Sequence, residues 1–302
     1  MAFRTLTIDS AAEVHVRNGQ LTVQRATDEK PLHIDLDDLA CIVLANLDIT
    51  LSTGALNVIS QHGITVLGCG RNFMPTSILL PFARNSRYSE IVDSQLSMSL
   101  PFQKQLWRRI VRQKIANQAE VLAIAQRNGY EHLIELAMSV RSGDPDNREA
   151  VAAKFYFPRL KAGYVREEIS PTSSILNYGY AVVRSALARS VVSHGFITSV
   201  GLHHENSRNE FNLVDDLIEP FRPIIDLQML DIDLDDEDPA NLSRGARREM
   251  TSVLRNACLL GGHKTSCLVA AEEMVISLKR AIEQHNVKQL LLPQVLPIEK
   301  VG

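Results

Sequence analysis

Along the first eighty residues, apolar and polar positions alternate in short runs; beyond them, apolar positions recur at spacings of three and four. Residues 12–18 and 20–25 alternate around Asn18-Gly19, a pair that tolerates the positive φ angles of a type I′ turn. They predict a tight hairpin. Residues 32–36, 41–45, 47–51, 64–67 and 77–80 predict further short strands. Ser52-Thr53 predicts the cap of a short helix over 54–61, which Gly63 closes.

From about Arg84 the texture is helical, with Leu106, Ile110, Ile115, Val121, Leu122 and Ile124 as the apolar positions. Helices are predicted over 86–99, 102–127, 131–141, 147–161, 172–194, 212–221, 244–259 and 265–285. Pro101, Gly143-Asp144-Pro145 and Ser170-Pro171 separate some of them. The tail, residues 290–302, is interrupted by prolines and predicts irregular chain. The expected fold class is α+β: a small β-rich domain over residues 1–83, then a larger all-helical domain over 84–302, joined near 81–90.

The 302 residues suffice for one large domain or two ordinary ones. A hydrophobic content of 45% and a charged content of 22% fit a soluble globular chain. No apolar run is long enough to span a bilayer. The opening MAFRTLTIDS lacks a basic stretch before an apolar core, so no signal peptide is predicted. Cys41, Cys69, Cys258 and Cys267 form no CxxC and sit among apolar residues, which predicts reduced, buried thiols in a cytoplasmic protein. The net charge of −3 hides an uneven distribution. Seven bases face two acids between Arg84 and Lys114, whereas residues 226–238 hold seven acids and no base. Local surfaces, not the sum, meet phosphates, although either run also reads as a solvated face or a loop.

The stretch GLHHENSRNEFNLVDDLIEPFRP, residues 201–223, carries the clearest chemistry. His203 and His204 fall in a loop; Asn212 is placed to cap the helix that follows. Leu213, Val214, Leu217, Ile218 and Phe221 form its apolar side and Asp215, Asp216 and Glu219 its polar side. Asp216 and Glu219, three apart, are neighbours on one face. Imidazole beside carboxylates is a ligand set for a divalent metal. A solvated acidic face produces the same stripe. Glu149 lies in the first turn of a predicted helix capped by Asp146 or Asn147, where the helix dipole favours a carboxylate. In LNYGY, residues 176–180, Gly179 inside a helix predicts close packing or access, and Tyr178 and Tyr180 read equally as core aromatics. The chain has no P-loop, HExxH, paired CxxC or GxSxG, and the GCG of residues 68–70 is no dinucleotide fingerprint.

Taken together and in order, EAVAAKFYF around Glu149, LNYGYAVVRSAL around Tyr178 and GLHHENSRNEFNLVDDLIEPFRPIID around His204 and Glu219 resemble the CRISPR adaptation integrase family, the Cas-one proteins. The wording EPFRP is most similar to the version found in type II systems. The resemblance covers the whole chain and implies a β-rich N-terminal domain for dimerisation and a helical catalytic domain. It implies metal ligands at Glu149, His204 and Glu219, with Mg²⁺ or Mn²⁺ bound. His204 is preferred to His203 for its spacing of fifteen residues from Glu219. Asp216 resembles an additional acidic position, Tyr178 an aromatic that contacts DNA, and Arg222 a residue that positions phosphate. Where relatives often carry asparagine-alanine, this chain has Ser173-Ser174, which bears on local packing.

The implied reaction inserts new spacer DNA into a CRISPR array, a 3′-hydroxyl attacking a repeat phosphodiester. Water at the same site would cut DNA. Arg84, Arg87, Lys104, Arg108, Arg109 and Arg112 are the candidates for binding double-stranded DNA through phosphate. The resemblance implies a homodimer that flanks the Cas-two protein, with the type II effector Cas-nine as a further partner. Three other readings stand beside it: a DNA-binding scaffold without catalysis, a metal hydrolase of a small substrate, and a helical adaptor.

Overall fold

The computed structural model describes residues 4–71, 74–81, 87–166 and 168–298. Two four-stranded sheets form the N-terminal region. One has the order β4-β3-β2-β6, from β2 (Ala12–Arg17), β3 (Gln20–Arg25), β4 (Leu32–Asp35) and β6 (Ile49–Leu51). The other has the order β1-β5-β7-β8, from β1 (Arg4–Ile8), β5 (Leu39–Leu44), β7 (Thr65–Cys69) and β8 (Pro75–Leu79). The β2–β3 hairpin turns at Asn18-Gly19 with φ of 51° and 76°, as the residue pair predicts. Helix α1 (Thr53–Gln61) is capped by Ser52, whose hydroxyl accepts from the Ala55 amide at 3.1 Å.

The period of two in β5 and β7 makes the second sheet a shared wall. Ile42 and Val66 face a core with Val14, Leu21 and Val23 of the first sheet. Cys41, Val43, Leu67 and Cys69 face the other way and belong to the core of the helical region. All four cysteines are free and buried. The expected division at 83/84 lies within residues 82–86, outside the described residues.

The helices are α2 (Tyr88–Leu96), α3 (Leu100–Ile124), α4 (Tyr130–Ser139), α5 (Arg148–Leu160), α6 (Pro171–Ser193), α7 (Asn212–Ile218), α8 (Arg222–Met229), α9 (Arg244–Thr251) and α10 (Cys267–Glu283). Helix α6 is buried on nearly every side. Gly179 lies where α8 and α9 cross it; a Cβ there would stand 2.5 Å from Met250 Sδ and 2.6 Å from an Ile225 methyl. The glycine therefore serves packing. Ser173 and Ser174 are accommodated, their hydroxyls donating to the carbonyls of Glu168 and Pro239 at 2.7 and 2.8 Å.

The C-terminal part is helical but not all-helical. Strands β9 (Ala257–Leu260), β10 (His263–Ser266) and β11 (Gln294–Val295) form a sheet of order β10-β9-β11. The helix expected over 244–259 ends after Thr251, passes through a 3₁₀ turn and becomes strand. Gly261-Gly262, with φ of 57° and 91°, closes a hairpin that a helix could not. The tail expected to be irregular supplies β11. The predicted helix over 212–221 likewise tightens into a 3₁₀ turn at 219–221, and α8 follows directly.

The reading of 226–238 as a solvated run or loop holds from residue 230 onward, where the chain is turn and loop with exposed acids, and fails at its start, which α8 carries. Asp226 is buried, and the Tyr180 hydroxyl donates to it at 2.5 Å. Burial holds its carboxyl up at about 6, against the lowering effect of the Tyr180 and Tyr156 phenols and of Arg222. The Tyr156 phenol, also fully buried, is pushed well above its usual range by burial and then by Asp226.

A carboxyl held above its ordinary 3.8 stabilises the fold fully below that pH, and the contribution is lost as pH rises through about 6. The displacement corresponds to about 3 kcal/mol. Denaturant midpoints measured from pH 4 to 7 are expected to show the native chain losing stability relative to Asp226→Asn. Parallel profiles would contradict this.

Candidate active site

The loop before α7 is built around one buried carboxylate. Asp216 is fully buried and accepts from the backbone amides of Leu202, His203 and His204 at 2.6, 3.0 and 3.2 Å. It also meets His204 Nδ1 at 2.6 Å. A Cβ on Gly201 would stand 2.7 Å from Asp216 Oδ2 and 2.5 Å from the His204 carbonyl, so the loop closes this tightly only with glycine there. Asp216 thus organises the loop rather than sharing a solvated face with Glu219. Phe211, not Asn212, holds the cap position of α7; the Asn212 amide donates to the Ser199 and Asn206 carbonyls, both at 3.0 Å.

The two histidines diverge. His203 stacks on the Trp107 indole with centroids 4.3 Å apart and planes 7° apart. His204 meets the same ring edge-on at 5.7 Å. Its Nδ1–H donates to Asp216, which leaves Nε2 as the ring's acceptor atom, the arrangement of a metal-ligating histidine with its orienting carboxylate. The Asp216 hydrogen bond is the main cause of a raised His204 pKa, and Glu219 and Glu149 add to it, so both carboxylates lie within electrostatic reach.

Glu149 is fixed by the start of α5. Asn147, in a left-handed conformation with φ of 49°, accepts from the Ala150 amide at 3.3 Å. Asp144 accepts from the amides of Arg148 and Glu149 at 2.9 and 3.0 Å. Asp146 does not cap; it pairs with Arg141 at 2.6 Å. Across from Glu149, Lys114 projects from the middle of α3. Its ammonium donates to Glu149 Oε1 at 2.6 Å and also lies against Glu219 Oε2. Arg222 Nε donates to the other Glu219 oxygen at 2.8 Å.

Burial alone would raise the Glu219 carboxyl, but Arg222 and Lys114 outweigh it and hold the pKa down at about 2. The same balance raises Lys114: burial opposes its charge, and Glu219 and Glu149 more than restore it. Lysine was legible in the sequence only as one of the basic run. Its better signal is its place four residues after Ile110, on a buried stripe where a charge requires partners.

The donor types fit a divalent cation. Glu219 Oε2 is buried and, although Lys114 lies against it, has no aligned hydrogen-bond partner. Glu149, Glu219 and His204 Nε2 are the atoms that would hold the ion. Among the described residues no three histidine, cysteine or acidic side chains stand together closely enough to hold one as arranged. The Lys114 ammonium lies between the two carboxylates instead.

Beside these residues runs an open groove of about 460 Å³. Tyr180, His204, Glu219 and three arginines line it: Arg166, Arg184 and Arg222. Each guanidinium is held. Arg184 makes a two-point bond to Asp215 at 2.6 and 3.0 Å, so Asp215 is a paired residue rather than a solvated neighbour. Arg166 donates to Asn177 at 2.6 Å. Arg222 and Arg166 lie 4.5 and 5.4 Å from the Tyr180 ring centre. Tyr178 is placed elsewhere. Its ring is fully buried, its hydroxyl lies 3.3 Å from Thr251 Oγ1, and burial pushes its phenol to about 12. Two residues apart on a helix are roughly 200° apart around the axis, so Tyr180 faces the groove and Tyr178 the core.

The basic run expected to bind DNA does not line this groove. Arg108 donates to the Val140 carbonyl at 2.9 Å and Arg109 to that of Leu290 at 3.0 Å, so both tie helices and tail together. Arg87 is exposed and paired with Glu90 at 2.6 Å. Lys104 and Arg112 are exposed. Arg84 lies outside the described residues.

The family model described as CRISPR associated protein Cas1 matches residues 6–162 and 164–232. The CRISPR-associated endonuclease Cas1 of Neisseria meningitidis serogroup C (strain 8013) is 35% identical over 305 residues, covering 99% of each chain. Among solved structures, a casposase bound to integration product is similar with a TM-score of 0.74 at 17% identity, over 95% of this chain and 92% of that one. A Cas6-RT-Cas1–Cas2 complex is similar with a TM-score of 0.72 at 20% identity, over 98% of this chain and 36% of that one. With a family model along most of its length and a relative similar throughout, this chain belongs to the CRISPR-associated Cas1 family.

Proposed function

We propose that this chain is a divalent-metal-dependent DNA integrase and endonuclease that inserts spacer DNA into a CRISPR array. One observation carries the reading: Glu149 and Glu219, from distant parts of the chain, close on a single cationic position beside the oriented imidazole of His204. Similarity to the Neisseria endonuclease and to a casposase bound to integration product supports the reaction class. The open, arginine-lined groove supports a strand of nucleic acid over a small substrate, which needs an enclosing pocket.

Glu149, His204 and Glu219 would hold Mg²⁺ or Mn²⁺, the imidazole suiting Mn²⁺. Such an ion supplies Lewis-acid polarisation of a phosphoryl oxygen and favours an attacking alkoxide. The protein supplies the rest. Arg166, Arg184 and Arg222 offset phosphate charge in the groove, and Asp216 fixes the His204 tautomer. The 3′-hydroxyl of the incoming fragment forms one phosphodiester as the repeat loses another, so no nucleotide fuel is needed.

Double-stranded DNA and the Cas-two protein are the partners proposed; similarity to the Cas6-RT-Cas1–Cas2 complex supports the second. A homodimer formed through the β-rich region, and the type II effector Cas-nine, rest on the resemblance. The EPFRP wording and the full-length likeness to the Neisseria protein support the type II version.

Glu149→Ala and His204→Ala are each expected to lower strand transfer by about 10² or more while DNA binding persists. Normal integration by either purified variant would end the assignment. Asp216→Asn is expected to weaken Mn²⁺ binding about 10–100-fold, read by electron paramagnetic resonance of free Mn²⁺. Lys114→Met is expected to cost about 3 kcal/mol of stability in chelator, because the buried Glu219 and the half-buried Glu149 lose their shared cation. Mn²⁺ should restore much of that loss in the variant. Equal stability in chelator and Mn²⁺ would show that the carboxylates do not share a cation site.

A further inference from the structure

A second polar cavity, of about 400 Å³, lies where the N-terminal region meets α9. Four guanidiniums line it: Arg25 at the end of β3, Arg244 and Arg248 on α9, and Arg255 in the 3₁₀ turn that follows. Among the described residues the one carboxylate in its wall, Asp9, is engaged by Arg244 through both oxygens. Arg25 lies 3.8 Å from Asp28, too far for a hydrogen bond, and its Nε is buried with no hydrogen-bond partner. Thr5 Oγ1, also in the wall, is likewise buried and has no hydrogen-bond partner among the described residues. Arg248 and Arg255 are exposed, and among the described residues neither has an ion-pair or hydrogen-bond partner for its side chain.

Like charges gathered in one concavity repel, and an anion between them reverses the sign. Guanidinium forks beside hydroxyl donors match the several oxygens of a phosphate group. Among the described residues the cavity is lined, Asp9 apart, by arginines and hydroxyls and by no aromatic side chain. The cavity is also separate from the metal groove. Thr251 in its wall meets Tyr178, whereas Tyr180 faces the groove, so α6 stands between them.

We propose that this cavity binds a phosphate group, carried by a nucleic-acid strand end or by a free small phosphate, and that the bound group clamps β1 and β3 against α9. The inference does not depend on the metal reading. The test compares the full chain with Arg248→Ala/Arg255→Ala, whose altered side chains are exposed, and with Arg248→Gln/Arg255→Gln, all in chelator. Pyrophosphate is expected to raise the unfolding temperature of the native chain by a few degrees and to leave both variants unmoved. Fluorescence anisotropy then compares one oligonucleotide with and without a 5′-phosphate. A preference of about tenfold in the native chain, lost in both variants, identifies the strand end as the source. Stabilisation by pyrophosphate without that preference identifies a free phosphate. If neither probe is bound, or if both variants respond as the native chain does, the proposal fails.

Discussion

Two carboxylates share one largely buried ammonium, and one wall of the groove rests on that constraint. Lys114 comes from the middle of α3, Glu149 from the first turn of α5 and Glu219 from the turn between α7 and α8. Their side chains retain 9%, 25% and 5% of their exposure, so Lys114 and Glu219 lie out of solvent's reach and only Glu149 is partly wetted. Each charge is therefore tolerable only while the others are in place. Arg222 balances the second negative charge, so Lys114 and Arg222 stand against Glu149 and Glu219. The site is close to neutral before any divalent cation is considered. If the carboxylates hold a divalent cation as proposed, Lys114 would have to withdraw from between them, and the lysine would then set metal affinity.

The three residues proposed as ligands come from the resemblance of three motifs, in order, to one family. Their arrangement was not. A helical wheel places Asp215, Asp216 and Glu219 on one stripe, yet three different partners claim them: Arg184, the loop amides, and Lys114 with Arg222. A wheel distinguishes faces, not water from a loop that folds back over the helix. The same limit explains Tyr178 and Tyr180. Both sit on a helix buried almost all round, so neither pattern nor propensity says which side meets the groove.

Strands and helix positions were legible to within a few residues wherever period and turn chemistry agreed, as at Asn18-Gly19. They diverged at the C-terminal sheet, where Val253, Leu254 and Cys258 satisfy a helical spacing. Gly261-Gly262 was the competing signal, and the hairpin it permits lets β9 pair on both edges, with β10 and with the tail strand β11. Tertiary pairing, not local preference, decides that segment.

The distribution of arginines carries the same lesson into function. A basic run along α3 looks like a phosphate-binding surface, but Arg108 and Arg109 each give a donor to a carbonyl of the fold. The groove arginines are scattered through the sequence at positions 166, 184 and 222, each fixed by Asn177, Asp215 or Glu219. A guanidinium held in advance loses less conformational freedom when it meets a phosphate, and it adapts less as charge develops there. Held arginines beside an oriented imidazole therefore suit a site that must position a phosphodiester for attack. Loose ones suit capture alone. By that criterion the groove fits the proposed chemistry, and the exposed Lys104 and Arg112 on α3 fit long-range steering of phosphate.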